Sequence, residues 1–174
     1  MKFLGEYKGF SLYILDKETG ELYKEEIVSL LNLIPKSNYK ISDVIREKKG
    51  ERILYGKWEH SLILFDKDKI VGVLIGYERK KENNNLYSEN SFYINEISVH
   101  KDYQGYGLGK YLMTYFLENT KEFIYLSGKR IFKIQTEDSS KNIKVVNFYK
   151  SLGFYETGRK EYPEKFDIIM ELKK

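Results

Sequence analysis

The stretch from Gln104 to Gly109 constrains the fold of this chain more than any other part of its sequence. It reads Gln-Gly-Tyr-Gly-Leu-Gly and joins an apolar, β-branched run (92–99) to a segment with helical periodicity. Glycines at such a junction let backbone N–H groups approach another molecule closely, because no side chain intervenes. A helix start also carries unpaired N–H donors and the positive end of the helix dipole. The segment therefore predicts a binding site for a phosphorylated cofactor.

Two well-known phosphate loops do not fit this segment. A nucleotide P-loop needs Gly-Lys-Ser or Gly-Lys-Thr, whereas Lys110 is followed by Tyr111 and Gln104 stands where the first glycine should be. The dinucleotide fingerprint fails because its last glycine falls out of register from either Gly105 or Gly107. The pattern that does fit is Gln or Arg, two residues, Gly, one residue, then Gly or Ala.

Composition favours one globular domain covering residues 1–174. The absence of cysteine excludes a disulfide framework, a thiolate zinc site and a cysteine nucleophile. With only two histidines and no helical histidine pair, no metal site is expected. A net charge of +4 is too small to indicate a nucleic-acid partner. No signal peptide opens the chain and no apolar run approaches membrane-spanning length, so we expect a cytoplasmic protein without a membrane partner.

Hydrophobic periodicity predicts a mixed α/β order of elements. Strands are predicted over 10–16, 61–65, 70–77, 92–99, 131–136, 154–160 and 166–172. Helices are predicted over 21–34 (after a turn at 18–20), 41–49, 142–152, and from 108 past Phe123 until Gly128 ends it. The polar stretch 79–91 is predicted to be a loop. Strand, helix and strand around the glycines form a βαβ unit, whose two strands should be parallel.

Three segments of the chain resemble the GNAT N-acetyltransferase superfamily. The most specific is the central strand with its glycine loop, 94–109; the others are Asn142 with Val145 and Phe148-Tyr149, and Leu152-Gly153-Phe154. The resemblance implies a mixed, mostly antiparallel sheet of about seven strands, flanked by about four helices. One parallel βαβ unit and a splayed central strand pair are implied within that sheet.

The resemblance also implies acetyl-CoA as the cofactor. Its pantetheine arm would lie between the splayed strands along Ile97, Ser98 and Val99, pairing with the backbone of Ile97 and Val99. Its diphosphate would be held by backbone N–H groups of Gln104, Gly105, Tyr106, Gly107, Leu108, Gly109 and Lys110. Asn142 is the remaining expected cofactor contact. Lys110 and Lys101 add positive charge nearby, although solvated surface charges are the simpler interpretation of both.

Acetyl transfer to an amine requires the amine to lose a proton, and a lysine-like amine has a pKa of about 10.4. Glu96 is the candidate base, acting directly or through water, because it is a lone acid within an apolar strand and burial raises a carboxyl pKa. The alternative is a structural carboxylate that is hydrogen-bonded to the backbone. The resemblance assigns Tyr149 as the acid that protonates the departing thiolate, although its place on an apolar helix stripe also suits core packing.

The leading hypothesis is an enzyme that transfers acetyl from acetyl-CoA to a primary amine by direct attack in a ternary complex. The acceptor stays open between a small-molecule amine and a peptide or protein amine. The first alternative is a non-catalytic acyl-CoA-binding sensor. The second is a nucleic-acid-associated protein acetylating charged tRNA, which the mild charge disfavours. A homodimer through the C-terminal strands is suggested by analogy alone.

Overall fold

A mixed sheet of eight strands forms the centre of the described chain, which comprises residues 1–82, 86–120 and 130–174 of a computed structural model. The strands are β1 (Phe3–Tyr7), β2 (Phe10–Ile14), β3 (Lys48–Lys49), β4 (Arg52–Ile53), β5 (Leu62–Asp66), β6 (Lys69–Arg79), β7 (Ser91–Val99), β8 (Ile131–Glu137), β9 (Tyr155–Tyr162) and β10 (Lys165–Lys173). The sheet order is β1-β2-β5-β6-β7-β8-β10-β9, while β3 and β4 form a separate hairpin. Within that sheet β7 and β8 run parallel and the other neighbours run antiparallel.

Six α-helices accompany the sheet in the described ranges. They are α1 (Lys17–Leu22), α2 (Lys24–Leu31), α3 (Ile41–Ile45), α4 (Lys57–His60), α5 (Leu108–Asn119) and α6 (Ile143–Ser151). α1 begins where the Asp16 carboxylate accepts a hydrogen bond from the Thr19 N–H at 2.8 Å. This bond satisfies one of the donors that a helix start leaves unpaired. Among the described residues, no helix is both long and apolar enough to span a membrane.

The two faces of the sheet carry separate hydrophobic cores. Alternation along β5 shows the division, because Leu62 and Leu64 face the core beneath α5 and α6. Ile63 and Phe65 face the opposite core, beneath α2 and α3. The sheet therefore separates the surface that α5 and α6 cover from the surface that α2 and α3 cover.

The predicted fold class is confirmed, including the single parallel pair and the mainly antiparallel sheet. The described sheet has eight strands where about seven were expected, because the residues of β1 pair with β2 and no strand was predicted there. The described helices number six where about four were expected. One reason is that α4 is a single turn without its own periodic pattern.

The first third of the chain departs most from the predicted elements. The predicted helix 21–34 is two helices, because the backbone at Tyr23 leaves the helical region between α1 and α2. The predicted turn at 18–20 was wrong, since these residues lie inside α1. The predicted helix 41–49 ends at Ile45, and 48–49 form β3. The continuation of α5 from Phe123 to Gly128 lies outside the described residues.

Candidate active site

Strands β7 and β8 separate after their first paired residues. Phe92 lies opposite Phe132 and Tyr93 opposite Lys133, and no further β7–β8 pair follows in the described residues. Farther along, β7 remains paired with β6, and β8 remains paired with β10. A gap therefore opens toward the carboxyl ends of β7 and β8, as the predicted splayed strand pair requires.

The backbone of Ile97 and Val99 faces this gap. The His100 N–H donates a hydrogen bond to the Val71 carbonyl at 2.8 Å, and the β6–β7 register continues from there. Because hydrogen-bonded and non-hydrogen-bonded pairs alternate in an antiparallel ladder, the N–H and C=O groups of Ile97 and Val99 point away from β6. The Gln104 Nε2 donates to the Val99 carbonyl at 3.2 Å, which agrees with that direction. An amide-bearing ligand in the gap can pair with these groups.

A β-bulge in β7 decides which way Glu96 points. Two consecutive residues of β6 lie opposite Ile94 and Glu96, so Asn95 is an extra residue in β7. A bulge shifts the alternation of side chains by one position. Ile94 and Ile97 consequently both pack with the core beneath α5 and α6. Ser98 instead faces α2, where its hydroxyl donates to a backbone carbonyl at 3.0 Å, and Glu96 lies on this same face.

The glycine loop has the backbone conformation that its sequence predicts. Gly105 and Gly107 have φ angles of +86° and +80°, in the left-handed region that favours glycine. Gly107 is the N-cap of α5, and the carbonyl of Tyr106 accepts a hydrogen bond from the Lys8 ammonium at 3.3 Å. A Cβ atom added at Gly107 would lie 3.2 Å from the Tyr7 hydroxyl oxygen. The hairpin of β1 and β2 therefore supports one side of the loop while the first turn of α5 presents its unpaired N–H groups.

A cavity of about 660 Å³ connects the strand gap, the glycine loop and α6. It is lined by Ile97, Val99, Tyr103, Gln104, Gly105, Gly107, Leu108, Gly109, Lys110, Lys144, Val145, Phe148 and Tyr149. The backbone donors of the loop and two lysine side chains give one end of the cavity a positive character, which suits a diphosphate. Along the cavity wall, the strand gap supplies the backbone N–H and C=O groups of Ile97 and Val99 that face away from β6.

Glu96 lines a second cavity, of about 280 Å³, on the other face of β7. Its pKa is raised to about 7, because burial disfavours the charged carboxylate. The Tyr39 hydroxyl donates a hydrogen bond to Glu96 Oε1. Tyr39 is itself held by Asn32, whose side-chain amide accepts from the Tyr39 N–H at 2.7 Å and donates to the Tyr39 carbonyl at 3.1 Å. The segment between α2 and α3 thus fixes a hydroxyl against the carboxyl group.

Tyr149, the residue predicted to be the acid, lies at the wall of the larger cavity. It is buried on α6, with 6% of its surface exposed, and lines the larger cavity. Burial raises the pKa of its hydroxyl well above the ordinary value, and the nearby Glu96 carboxylate raises it further. The hydroxyl is therefore protonated at physiological pH.

Comparison with known families gives the decisive observation. The profile of the acetyltransferase (GNAT) family matches residues 25–154. The chain belongs to this family. The prediction of an acyl-CoA-dependent N-acetyltransferase of the GNAT type is thereby confirmed. A comparison with curated protein sequences gives no significant match.

Solved structures with the GNAT fold resemble the chain over nearly its whole length. The ribosomal-protein-S18-alanine N-acetyltransferase from Escherichia coli has 15% sequence identity and a TM-score of 0.68, covering 94% of this chain and 93% of its own. A subunit of the NatC complex, crystallised with Gag peptide and CoA, has 17% identity and a TM-score of 0.71, covering 99% and 98%. Arabidopsis thaliana Naa50, in complex with the bisubstrate analogue CoA-Ac-MVNAL, has 16% identity and a TM-score of 0.69, covering 94% and 98%. At such identities the likeness establishes the GNAT fold.

Most of the residues predicted to bind the GNAT cofactor line the larger cavity, but three do not. Ser98 is buried on the opposite face of β7. The Tyr106 side chain is 51% exposed and packs edge-on against Phe10. The Asn142 amide donates to the Thr136 hydroxyl at 2.9 Å and to a β8 carbonyl at 2.5 Å. Asn142 thus ties the start of α6 to β8, and its cofactor contact stays a prediction.

Sequence reasoning missed several residues of this GNAT site. Tyr103 and Lys144 line the larger cavity, and Tyr103 directly precedes the recognised glycine loop. Tyr39, Arg46 and Lys49 line the smaller cavity with Glu96. These three come from the first third of the chain, where no motif signals a site. Only the tertiary fold brings them to β7.

Proposed function

We propose that the protein transfers the acetyl group of acetyl-CoA directly to a primary amine, with both substrates bound at once. The observation that carries this proposal is the arrangement of the two cavities. The larger cavity has the donors for a nucleotide cofactor on one face of β7, and the smaller one holds a carboxyl group of raised pKa on the other face. Because β7 contributes to both cavities, a thioester in the strand gap and an amine beside Glu96 can approach each other.

The larger cavity fits coenzyme A in its chemistry. Backbone N–H groups from Gln104 to Lys110 would hold the diphosphate, with Lys110 and Lys144 adding positive charge. The outward backbone groups of Ile97 and Val99 would pair with the amides of the pantetheine arm. Within the predicted set, Ser98 and Tyr106 would contribute through their backbone alone, since their side chains lie elsewhere.

Acetyl-CoA supplies an activated thioester, and the chain supplies proton transfer and positioning. Glu96 accepts the proton that the incoming ammonium must lose, directly or through water, and its raised pKa suits that task. Tyr149 holds a proton on its hydroxyl for the sulfur that leaves as the carbon–sulfur bond breaks. Holding the amine near the thioester carbonyl supplies most of the acceleration, and an N–H group of β7 polarises that carbonyl.

Two measurements on the full chain test the proposal. Calorimetric titration with coenzyme A should show one binding site per chain, and thiol release from acetyl-CoA should depend on an added primary amine. The acceptor panel should include small amines and short peptides with free N-termini, because the E. coli neighbour is named as a protein-alanine acetyltransferase and the NatC subunit was crystallised with a peptide. Binding of coenzyme A without amine-dependent thiol release would favour the sensor alternative, and absence of binding would refute both.

A further inference from the structure

The smaller cavity, beside Glu96, is lined by polar side chains on every side. At about 280 Å³ it has room for a small molecule or for the first residue or two of a peptide. Its wall combines the carboxyl group of Glu96 with the side chains of Asp43, Arg46 and Lys49. The balance among these four ionisable groups determines which acceptors the cavity can hold.

The acidic side chains of this cavity are already engaged. Asp43 Oδ1 pairs with the Arg46 guanidinium at 2.9 Å, and its other oxygen accepts a hydrogen bond from the Lys40 N–H at 2.9 Å. Glu96 accepts a hydrogen bond from the Tyr39 hydroxyl, and its carboxyl group is largely neutral below its raised pKa of about 7. The Asp43 charge is thus already balanced by Arg46, and Glu96 is the carboxyl group left to face the amine.

The basic side chains have binding capacity left. In the ranges that the structure describes, no carboxylate lies within ion-pair distance of Lys49, although its side chain borders the cavity. Arg46 is paired through one nitrogen, and a guanidinium carries five donors in a planar fork. Apart from Glu96, the ionised side chains of the cavity, Asp43, Arg46 and Lys49, therefore carry a net positive charge.

The basic side of the cavity is held in place by buried contacts. Lys57, with 2% of its surface exposed, donates hydrogen bonds to two carbonyls at the end of α3, one of them that of Arg46 at 2.7 Å. The next residue, Glu47, accepts a hydrogen bond from the Trp58 indole at 2.9 Å. Because these bonds fix the backbone that leads into β3, Arg46 and Lys49 stand at a defined place relative to Glu96.

We infer that the acceptor carries an anionic group, a carboxylate or phosphate, together with its primary amine. Lys49 and Arg46 bind the anion through charge-assisted hydrogen bonds while the amine faces Glu96. A purely cationic acceptor such as a polyamine is disfavoured, because its second ammonium would meet the Lys49 charge without a free carboxylate to pair with. This inference rests on the proposed function and narrows its acceptor to amino-acid-like amines, either free or at the start of an acidic peptide.

Matched acceptor pairs test the inference through steady-state thiol release. One arm compares ω-amino acids of increasing length with their amides, and the other compares short peptides that differ by aspartate or asparagine at the second position. The acid member should have a kcat/KM about tenfold higher, since one charge-assisted contact contributes about that much. Lys49→Gln should abolish the preference by raising KM for the acids, so that acids and amides react with similar kcat/KM.

Lys48→Gln is the matched control, because Lys48 is the exposed neighbour of Lys49 on β3 and points to the other face of that strand. It should retain the preference for acids. A preference confined to free amino acids would identify a small-molecule acceptor, and one confined to peptides would identify an acidic N-terminus; either supports the inference. Equal turnover of acids and amides, or an unchanged preference in Lys49→Gln, would overturn it while leaving acetyl transfer intact. If no amine is turned over although coenzyme A binds, the inference and the proposed function fail together.

Discussion

Burial raises the pKa values of both Glu96 and Tyr149, the proposed base and acid, but from different ordinary values. Burial raises the pKa of Glu96 to about 7, so that its carboxyl group can alternate between charged and neutral forms near physiological pH. Burial and nearby negative charge raise the pKa of Tyr149 and keep its hydroxyl protonated. Near neutral pH the carboxyl group can therefore accept a proton while the hydroxyl keeps its own, as the proposed base and acid require.

The first prediction concerns Glu96→Gln and the pH dependence of the rate. A base must be deprotonated to act, so kcat/KM of the wild type should rise with pH through about 7 and then level off. Because glutamine cannot accept the proton, kcat/KM of the variant should be about a hundredfold lower than that of the wild type and should no longer rise with pH. The pH profile of amine-dependent thiol release measures both effects. A variant that keeps the wild-type rise would show that another group is titrating.

Tyr39→Phe is an informative companion to that variant. A hydrogen bond donated to a carboxylate favours its charged form, so removing the Tyr39 hydroxyl should raise the apparent pKa of Glu96 further. The rise in kcat/KM should move to higher pH while its plateau persists. This displacement would distinguish a residue that positions and tunes the base from one that transfers the proton itself.

The second prediction concerns the leaving group. A thiol has a pKa of about 8.5, so the sulfur can depart without full protonation, and Tyr149→Phe should lower kcat about tenfold rather than abolish turnover. Tyr115→Phe is the control, because Tyr115 packs against the same core from α5 and does not line the larger cavity. An unchanged kcat in Tyr149→Phe would refute its assignment as the acid.

At the scale of elements, the glycine loop is the part of the site that its local sequence determines. The third prediction compares Gly105→Ala with Gly50→Ala. Both glycines have positive φ angles, +86° and +61°, and a Cβ atom at either position would meet no atom within 4 Å. The two substitutions should therefore lower the melting temperature by similar amounts, through backbone strain alone.

Only Gly105→Ala should weaken binding of coenzyme A, about tenfold by calorimetry, because the strained loop turns its N–H groups away from the diphosphate. Gly50 lies in the turn between β3 and β4, away from the glycine loop. Equal affinities in the two variants would mean that the loop does not hold the diphosphate.

The same elements show where the sequence was informative and where it was not. The region from β7 to α6 was predicted closely, because strand and helix periods there agree with the glycine signals. Gly20 suggested a turn, but it lies inside α1, where a Cβ would come within 2.7 Å of the Trp58 ring and only glycine fits. That glycine reflects tertiary packing, which no local pattern reveals.

The candidate site divides in the same way. Gln104 to Lys110 could be assigned because backbone conformation makes the binding surface, and glycine spacing reports it. The direction of the Glu96 side chain could not be predicted, because strict alternation places Glu96 on the face of Ile94 and only the Asn95 bulge reverses this. Tyr39 and Lys49 could not be found because only the packing of α2 and α3 on the sheet brings them to the cavity beside Glu96.

At the scale of the whole molecule, the sheet holds the two cavities on opposite faces, and both reach β7. The core beneath α5 and α6 supports the larger cavity, and the core beneath α2 and α3 supports the smaller one. Both cavities reach β7, where a single bulge reverses the facing of Ile97 and Glu96. Under the proposed function, coenzyme A therefore binds on one face of β7 and the acceptor amine on the other.

The last prediction concerns how the stability of the whole fold depends on pH. The pKa of Glu96 rises from 4.5 to about 7 on folding, so the folded state binds more protons than the unfolded state between those values. Its contribution to the free energy of unfolding is therefore present below pH 4.5 and is lost as the pH rises through 7.

Lys57 has the opposite effect on stability, because burial and the Arg46 charge lower its pKa from 10.5 to about 8. Between those two values the unfolded state binds more protons, and stability rises with pH.

Urea denaturation of the full chain at about pH 5, 7.5 and 9.5 should therefore show the two contributions as differences between wild type and variant. Glu96→Gln should be the more stable protein at about pH 7.5 and should lose that advantage at about pH 5, where the wild-type carboxyl group is neutral as well. Lys57→Met should remove the rise in the free energy of unfolding between about pH 7.5 and 9.5. Lys48→Met, at an exposed site on β3, should retain that rise. The Lys57 contribution is absent if Lys57→Met and Lys48→Met follow the same curve. In that event the buried ammonium keeps its ordinary pKa, because its two carbonyl acceptors compensate fully for its loss of water.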